Sequence, residues 1–330
     1  MLVTGGDSKL AAMTAETMRA ETMRAMAYSR YGGNEVLQPM DLPRPKVGPG
    51  EVLVRVRSAS VNPVDWKIMA GGLDALMTSV FPIVPGWDVS GVVERVGIDV
   101  PEFSAGDAVL AYNRKDFVHD GTFAEFVSVP VRSLAAKPPS VGWDEAAALP
   151  LAGLTAYQVL TRLGADRGQT VLVHGAGGGV GSMGVQIAAG KGLRVIGTAS
   201  TANHDRIRAL GAEPVAYGDG LAERVRSLAP GGVDLVADFV GGVLDTTVAV
   251  LAPGGRHASI ADDSVMAAGG SWIWVRPSGS DLTHLAALVE RGDVTVPIAG
   301  GFELDQLPEA FDASRGGRTQ GKLVVRISTD

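Results

Sequence analysis

The groups in this chain best placed to do chemistry are backbone N–H groups. The stretch "HGAGGGVG" (174–181) sets five glycines in eight positions directly behind the apolar run "TVLV" (170–173). Glycines at such a junction allow a tight turn and let a ligand approach where a Cβ would collide. If a helix follows, its free N–H groups and positive end favour an anion such as a pyrophosphate. The Gly-x-Gly-x-x-Gly spacing is incomplete, because Ala176 stands at the first glycine position while Gly178 and Gly181 fill the second and third. Gly179 and Val180 complete the turn between them. A glycine-rich turn also serves purely structural ends, so the flanking elements decide the reading.

From Asp144 the chain alternates. The helix "WDEAAALPLAGLTAYQVLTRL" leads to strand "TVLVHG", a helix over 180–191, strand "LRVIGTA", helix "NHDRIRALG" and strand "PVAY". Helix "LAERVRSLA", strand "VDLVADFV", helix "LDTTVAVLA" and strand "GRHASIA" continue the series. Strands alternating with helices predict βαβ units on a parallel sheet. The glycine turn then falls at the first strand–helix junction, where a dinucleotide-binding fold needs it. Upstream, from Met26 to Pro130, runs such as "EVLVRVRSASV", "VSGVVERVG", "DAVLAYN" and "TFAEFVSVP" are strand-like and punctuated by Gly, Pro and Asp. The tail "TVPIAGGFELDQLPEAFDASRGGRTQGKLVVRIS" breaks the alternation and is expected to return to the first domain. The expected domains are 24–147 joined by 295–330, and 148–294. Residues 1–23, which contain most of the repeat "AETMRAETMRA", are expected to form a disordered extension.

Composition narrows the partners. A length of 330 residues, 46% hydrophobic and 20% charged, is ordinary for a globular chain with sizeable cores. A net charge of −7 argues against nucleic acid and anionic membrane surfaces. With no cysteine, disulfides and thiolate-bound metal are excluded. No stretch is apolar for the length of a membrane span, and the cytoplasm is the expected compartment.

Six segments in one order resemble the medium-chain dehydrogenase/reductase superfamily, within it the zinc-independent quinone oxidoreductase-like branch. They are "GPGEVLVRVRSASVNPVDWK" (48–67), "PGWDVSGVVERVG" (85–97), "GTFAEFVSVP" (121–130), "LAGLTAYQVL" (151–160), "HGAGGGVGSMGVQIA" (174–188) and "TQGKLVV" (319–325). The resemblance implies an α/β protein: a GroES-like β-rich catalytic domain, a Rossmann dinucleotide-binding domain, and a cleft between them for a nicotinamide dinucleotide. Zinc alcohol dehydrogenases of the superfamily hold a catalytic metal at positions that correspond here to Asn62, Trp87 and Leu151. Trp and Leu cannot ligate zinc and an Asn amide is a poor ligand, so no zinc is expected. Without a Lewis acid, alcohol oxidation is difficult, whereas hydride delivery to an electrophilic quinone or α,β-unsaturated carbonyl remains feasible.

The resemblance and the residue types together give the candidate residues. Strand "LRVIGTAS" ends in Ala199-Ser200 without the acid that NAD-binding folds place against the ribose hydroxyls, which favours NADPH. Ser200 can donate to a 2′-phosphate, Arg206 is the expected counter-charge with solvation of a helix face as its alternative role, and Tyr217 and Val240 join the cofactor set with Gly178, Gly179, Val180 and Gly181. Asn62 and Thr155 are expected against the nicotinamide half, with a structural hydrogen-bonding role as the alternative for each. Lys67 and Tyr112 are the candidate proton donors, each with a solvated or structural role as the alternative. The expected reaction is NADPH-dependent reduction of a quinone or enone. An enoyl reductase tailoring a polyketide-like intermediate, and an NADPH-binding sensor or structural protein without turnover, are the rival readings. The apolar run "GSWIWVRP" (270–277) reads as an edge strand, which needs covering; in this family such strands join two chains, so a homodimer is expected.

Overall fold

The computed structural model describes residues 21–317 and 319–328, so the expectation for the N-terminal extension lies largely outside the described residues. Strand β1 (Thr22–Ala27) begins ahead of the expected domain start and pairs antiparallel with β2 (Gln38–Pro43). The hub of the first domain is β3 (Glu51–Val61). Its Val52, Val54 and Val56 are fully buried while Arg55 and Arg57 alternate with them half-buried, the pattern of a strand packed hard on one face. Pro63 then opens α1 (Pro63–Met69), where a missing N–H costs nothing, and the Asp65 carboxylate accepts the Asn62 N–H at 2.7 Å. The strands β4 (Ser79–Val84), β5 (Asp88–Val96), β6 (Ala108–Tyr112), β7 (Val118–Asp120), β8 (Phe126–Pro130) and β9 (Leu134–Ala136) follow.

The long helix expected from Trp143 is two helices, α2 (Trp143–Ala148) and α3 (Pro150–Arg162). Pro150 lacks the N–H that would continue the ladder and instead starts the second helix. The parallel units come next: β10 (Thr170–His174), α4 (Gly179–Gly190), β11 (Arg194–Ala199), α5 (His204–Ala209) and β12 (Glu213–Ala216). They are followed by α6 (Leu221–Leu228), β13 (Val233–Asp238), α7 (Leu244–Val250), β14 (Leu251–Ser259) and β15 (Ser271–Trp272). These strands lie in the order β12-β11-β10-β13-β14-β15 and all pair parallel. The order reverses at β10, and a crevice opens at the strand ends where helices depart to opposite faces.

The run 270–277 is a strand only over Ser271 and Trp272. Ile273 and Val275 are buried within the same chain, and only Trp272 of the four large residues is exposed, at 40%. Helix α8 (Gly279–Glu290) precedes β16 (Ile298–Glu303), α9 (Leu307–Arg315) and β17 (Lys322–Arg326). The last two strands extend the first domain's sheet in the order β16-β17-β3-β5-β6-β9, with β8 on the other part of β3. One apolar cluster runs from Trp87, Tyr112 and Phe123 through Leu149 and Leu154 to Val173 and Met183, so the two sheets share a core across their join. Among the described residues no helix is long and apolar enough to cross a membrane.

Candidate active site

The glycine turn forms between β10 and α4, and its glycines do different jobs. Gly175 sits at φ +72, a left-handed conformation that a side chain resists, and its N–H is held by Thr198 Oγ1 at 3.0 Å. A Cβ on Gly181 would lie 2.1 Å from the Gly175 carbonyl oxygen, so Gly181 is what lets α4 pack against the turn. A Cβ on Gly179 would lie 3.0 Å from Lys322 Cδ, a residue of β17. On Gly178 the nearest neighbour of a Cβ would be the Gly175 carbonyl oxygen at 3.4 Å, an ordinary contact. Gly177, where a Cβ would meet nothing nearer than Asn203 Nδ2 at 3.5 Å, and Gly178 together leave an open face.

That face lines a cavity of about 970 Å³ at the crevice. His174, Ser200, Asn203, Tyr217 and Val240 line it with Gly178, and Gly317, Thr319 and Gln320 reach it from the segment before β17. Tyr217 and Val240 stand 64% and 54% exposed, apolar faces left open rather than packed. Asn203, which sequence reasoning missed, donates to Ser200 Oγ at 3.2 Å and stands near Gly177. Its only signal was its place just before helix α5. In that helix Arg206 is half-buried, and both its terminal nitrogens are enclosed with no partner among the described residues. Burial lowers its pKa, and an enclosed guanidinium is relieved by an anion. His174 sits at the end of β10 with its pKa pushed down to about 4 by burial, against the pull of Asp238, and so lines the cavity as a neutral ring. Asp238 accepts from the N–H groups of Val240 and Gly241 and from Ser259 Oγ, which shapes the loop carrying Val240.

Arg206 is not among the residues that line this cavity, and the remaining candidates also lie outside it. Asn62 is buried, its Oδ1 accepting from Lys322 Nζ and its Nδ2 donating to Asp88 at 2.8 Å. Asp88 also accepts from Ser60 Oγ and from the Leu151 N–H, each at 2.8 Å. The Thr155 hydroxyl donates to the Leu151 carbonyl at 2.7 Å within its own helix. Lys67 is exposed on α1, its ammonium 5.6 Å from the Trp66 ring. Tyr112 is fully buried, edge-on to Trp87 at 6.0 Å, and burial raises its pKa. Of the two proposed proton donors, Lys67 alone meets solvent. Val180 is half-buried at the start of α4 and packs on the core. The three positions of the superfamily's zinc ligands are thus held by an engaged amide, a buried indole and a leucine whose backbone caps Asp88.

Two family models match the chain: the alcohol dehydrogenase GroES-like domain over 48–139 and the zinc-binding dehydrogenase over 210–325. An NADPH-dependent alkenal/one oxidoreductase of Arabidopsis thaliana, chloroplastic by name, is 34% identical over 95% of this chain and 82% of its own length. The chain belongs to the medium-chain dehydrogenase/reductase superfamily, in its quinone oxidoreductase-like branch. The quinone oxidoreductase of Coxiella burnetii superposes with a TM-score of 0.84 at 30% identity, covering 93% of this chain and 100% of that one. Mycobacterial Rv1454c complexed with NADPH superposes at 0.80 with 30% identity, covering 92% and 99%. The family's α/β fold of GroES-like and Rossmann domains is the fold seen here.

The glycine geometry separates two substitutions. Gly181→Ala is expected to cost about 1–3 kcal/mol or more by forcing backbone apart, seen as a lowered melting temperature. Gly178→Val is expected to keep the fold and lose dinucleotide binding. A folded Gly178→Val protein that binds NADPH normally would place the ligand elsewhere.

Proposed function

We propose that this protein is an NADPH-dependent, zinc-independent reductase that transfers a hydride to a quinone or an α,β-unsaturated carbonyl compound. The observation that carries the reading is the open cavity at the strand-order reversal. Its glycine face is free, no carboxylate stands at the end of β11, and on the next helix the terminal nitrogens of Arg206 have no partner among the described residues. The names of the Arabidopsis and Coxiella relatives support the acceptor class.

Bound NADPH supplies the hydride. The chain's residues supply its position. Gly178 and the N–H groups opening α4 receive the pyrophosphate, Ser200 and Asn203 offer donors to the adenosine phosphate, and Arg206 offers the charge. Tyr217 and Val240 cover apolar surface. Asn62 and Thr155 belong to the nicotinamide half, and Lys67 is the side chain that can hand a proton from solvent to a reduced oxygen. Polarisation of the acceptor by zinc has no place, since Trp87 and Leu151 offer no ligand atom and Asn62 is spent on Lys322 and Asp88.

The test is NADPH consumption with a simple quinone and a simple enone. Steady turnover supports the reading; stoichiometric binding without turnover refutes it. NADPH is expected to bind at least tenfold more tightly than NADH, about 1.4 kcal/mol, with most of that preference lost in Arg206→Ala and reversed by Ala199→Asp. Equal dissociation constants in fluorescence titration would overturn the phosphate assignment. Metal analysis of tag-free protein is expected to find well below one zinc per chain, with activity indifferent to chelators; stoichiometric zinc would overturn that part.

We also propose a homodimer joined through the β15 edge, where Trp272 is exposed at the end of the sheet. Light scattering is then expected to give twice the 34.1 kDa chain mass, and Trp272→Lys to release monomers. Ile273 is unsuitable for the test because it is buried in its own chain. A monomeric unmodified protein would refute the assembly.

A further inference from the structure

Lys322 is an almost fully buried ammonium, and the reaction proposed above does not use it. It is 5% exposed. Its Nζ donates to the Val61 carbonyl at 3.1 Å and to Asn62 Oδ1, and lies 3.9 Å from Asp88. Its backbone N–H is fixed on the Pro297 carbonyl at 2.8 Å. Its stem crosses the domain join, since Cδ comes within 3.0 Å of where a Cβ on Gly179 would lie, closer than ordinary contact. One side chain therefore touches both the turn that opens α4 and the asparagine assigned to the nicotinamide half.

We propose that Lys322 is a positioning residue. Its ammonium orients the Asn62 amide and its stem holds the glycine turn at a fixed distance from Asn62, so that a dinucleotide gripped at the turn presents its nicotinamide in register. The inference rests on the NADPH reading above and adds a residue to it.

The physical case is one of matching. An amide at Asn62 can flip unless its two ends face opposite partners. Here Lys322 can only donate, so it selects Oδ1, and the Asp88 carboxylate, an acceptor held by Ser60 and Leu151, selects Nδ2. A buried ammonium is retained against its desolvation cost only where such partners exist. Gly179 plays the complementary part, because any side chain there would force the lysine stem to move. This accounts for a glycine at a turn position whose face points at protein rather than at the cavity.

The full-length chain carrying Lys322→Met, which keeps an unbranched stem and removes the charge, tests it. NADPH dissociation constants from fluorescence titration are expected to stay within about threefold of the unaltered protein. The emission enhancement of bound nicotinamide is expected to be lost, kcat to fall at least thirtyfold, and the primary isotope effect with 4-deuterated NADPH to rise. Adding Asn62→Ala to Lys322→Met is expected to lower kcat no further, because the two act through one another. A lower melting temperature with unchanged kcat, emission and isotope effect would show a purely structural lysine and overturn the proposal. So would additive losses in the double variant. If Lys322→Met does not fold, Gly179→Ala, which displaces the stem and leaves the charge, is expected to lower kcat at nearly unchanged NADPH affinity; an unchanged kcat there overturns the proposal. Failure of the unaltered protein to bind NADPH would instead refute the parent reading, and this one with it.

Discussion

Asp65, Asp88 and Lys322 are buried together at the join of the two sheets, and the arrangement of the site depends on how their charges are settled. Removing one partner from such a group leaves an uncompensated charge, a loss of about 3–5 kcal/mol. Burial lowers the Lys322 pKa and raises that of Asp88, and each opposes the shift of the other. Asp65 is pushed up to about 8 by burial, against the Asn62 N–H that favours its ionised form. Its folded value lies above its unfolded one, so folding favours the protonated acid. The stability this gives is fully present below the unfolded value near pH 4 and is lost as pH rises through about 8. Against the larger effect of its burial, the Lys322 ammonium and the hydrogen bonds from Asn62, Ser60 and the Leu151 N–H favour the ionised form of Asp88.

This settlement explains why the two domains meet as they do. Ser60 and Asn62 flank the end of β3, Asp88 opens β5, Leu151 lies in the first turn of α3, and Lys322 opens β17. Four elements are thereby anchored to one buried node, and the apolar cluster through Trp87, Tyr112, Leu149 and Leu154 closes around it. Hydrogen bonds in this dry setting have directions, whereas apolar packing alone leaves orientation loose. The positions that would carry zinc in an alcohol dehydrogenase are absorbed into this polar and aromatic packing.

At the other end of the crevice the constraint is steric. The Gly175 carbonyl, the Gly181 backbone and Ala176 are pressed together, which fixes the start of α4 and aims its N–H groups out of the strand end. The cavity beyond is polar at Ser200 and Asn203 and apolar at Tyr217 and Val240. A ligand with an anionic middle and a flat aromatic end suits such a surface.

The sequence by itself determined the parallel half of the fold, because a strand–helix alternation has a period that can be read locally. It also determined the glycine turn, since only glycine tolerates those approaches, and the missing acid after β11, which is a fact of composition at one place. Tertiary structure decided the rest. Gly178, Gly179 and Gly181 look alike in the sequence, yet one faces the cavity, one faces Lys322 and one faces backbone, because the neighbours come from distant segments. Pro150 splits a helix that periodicity joined. Ile273 and Val275 look like an open edge and are covered within the chain. Lys322 gave no local sign of burial, since a lysine in a short strand is ordinarily solvated. Only the pairing of β17 with β3 brings it to Asn62 and Asp88, where direct partners replace the water it gives up.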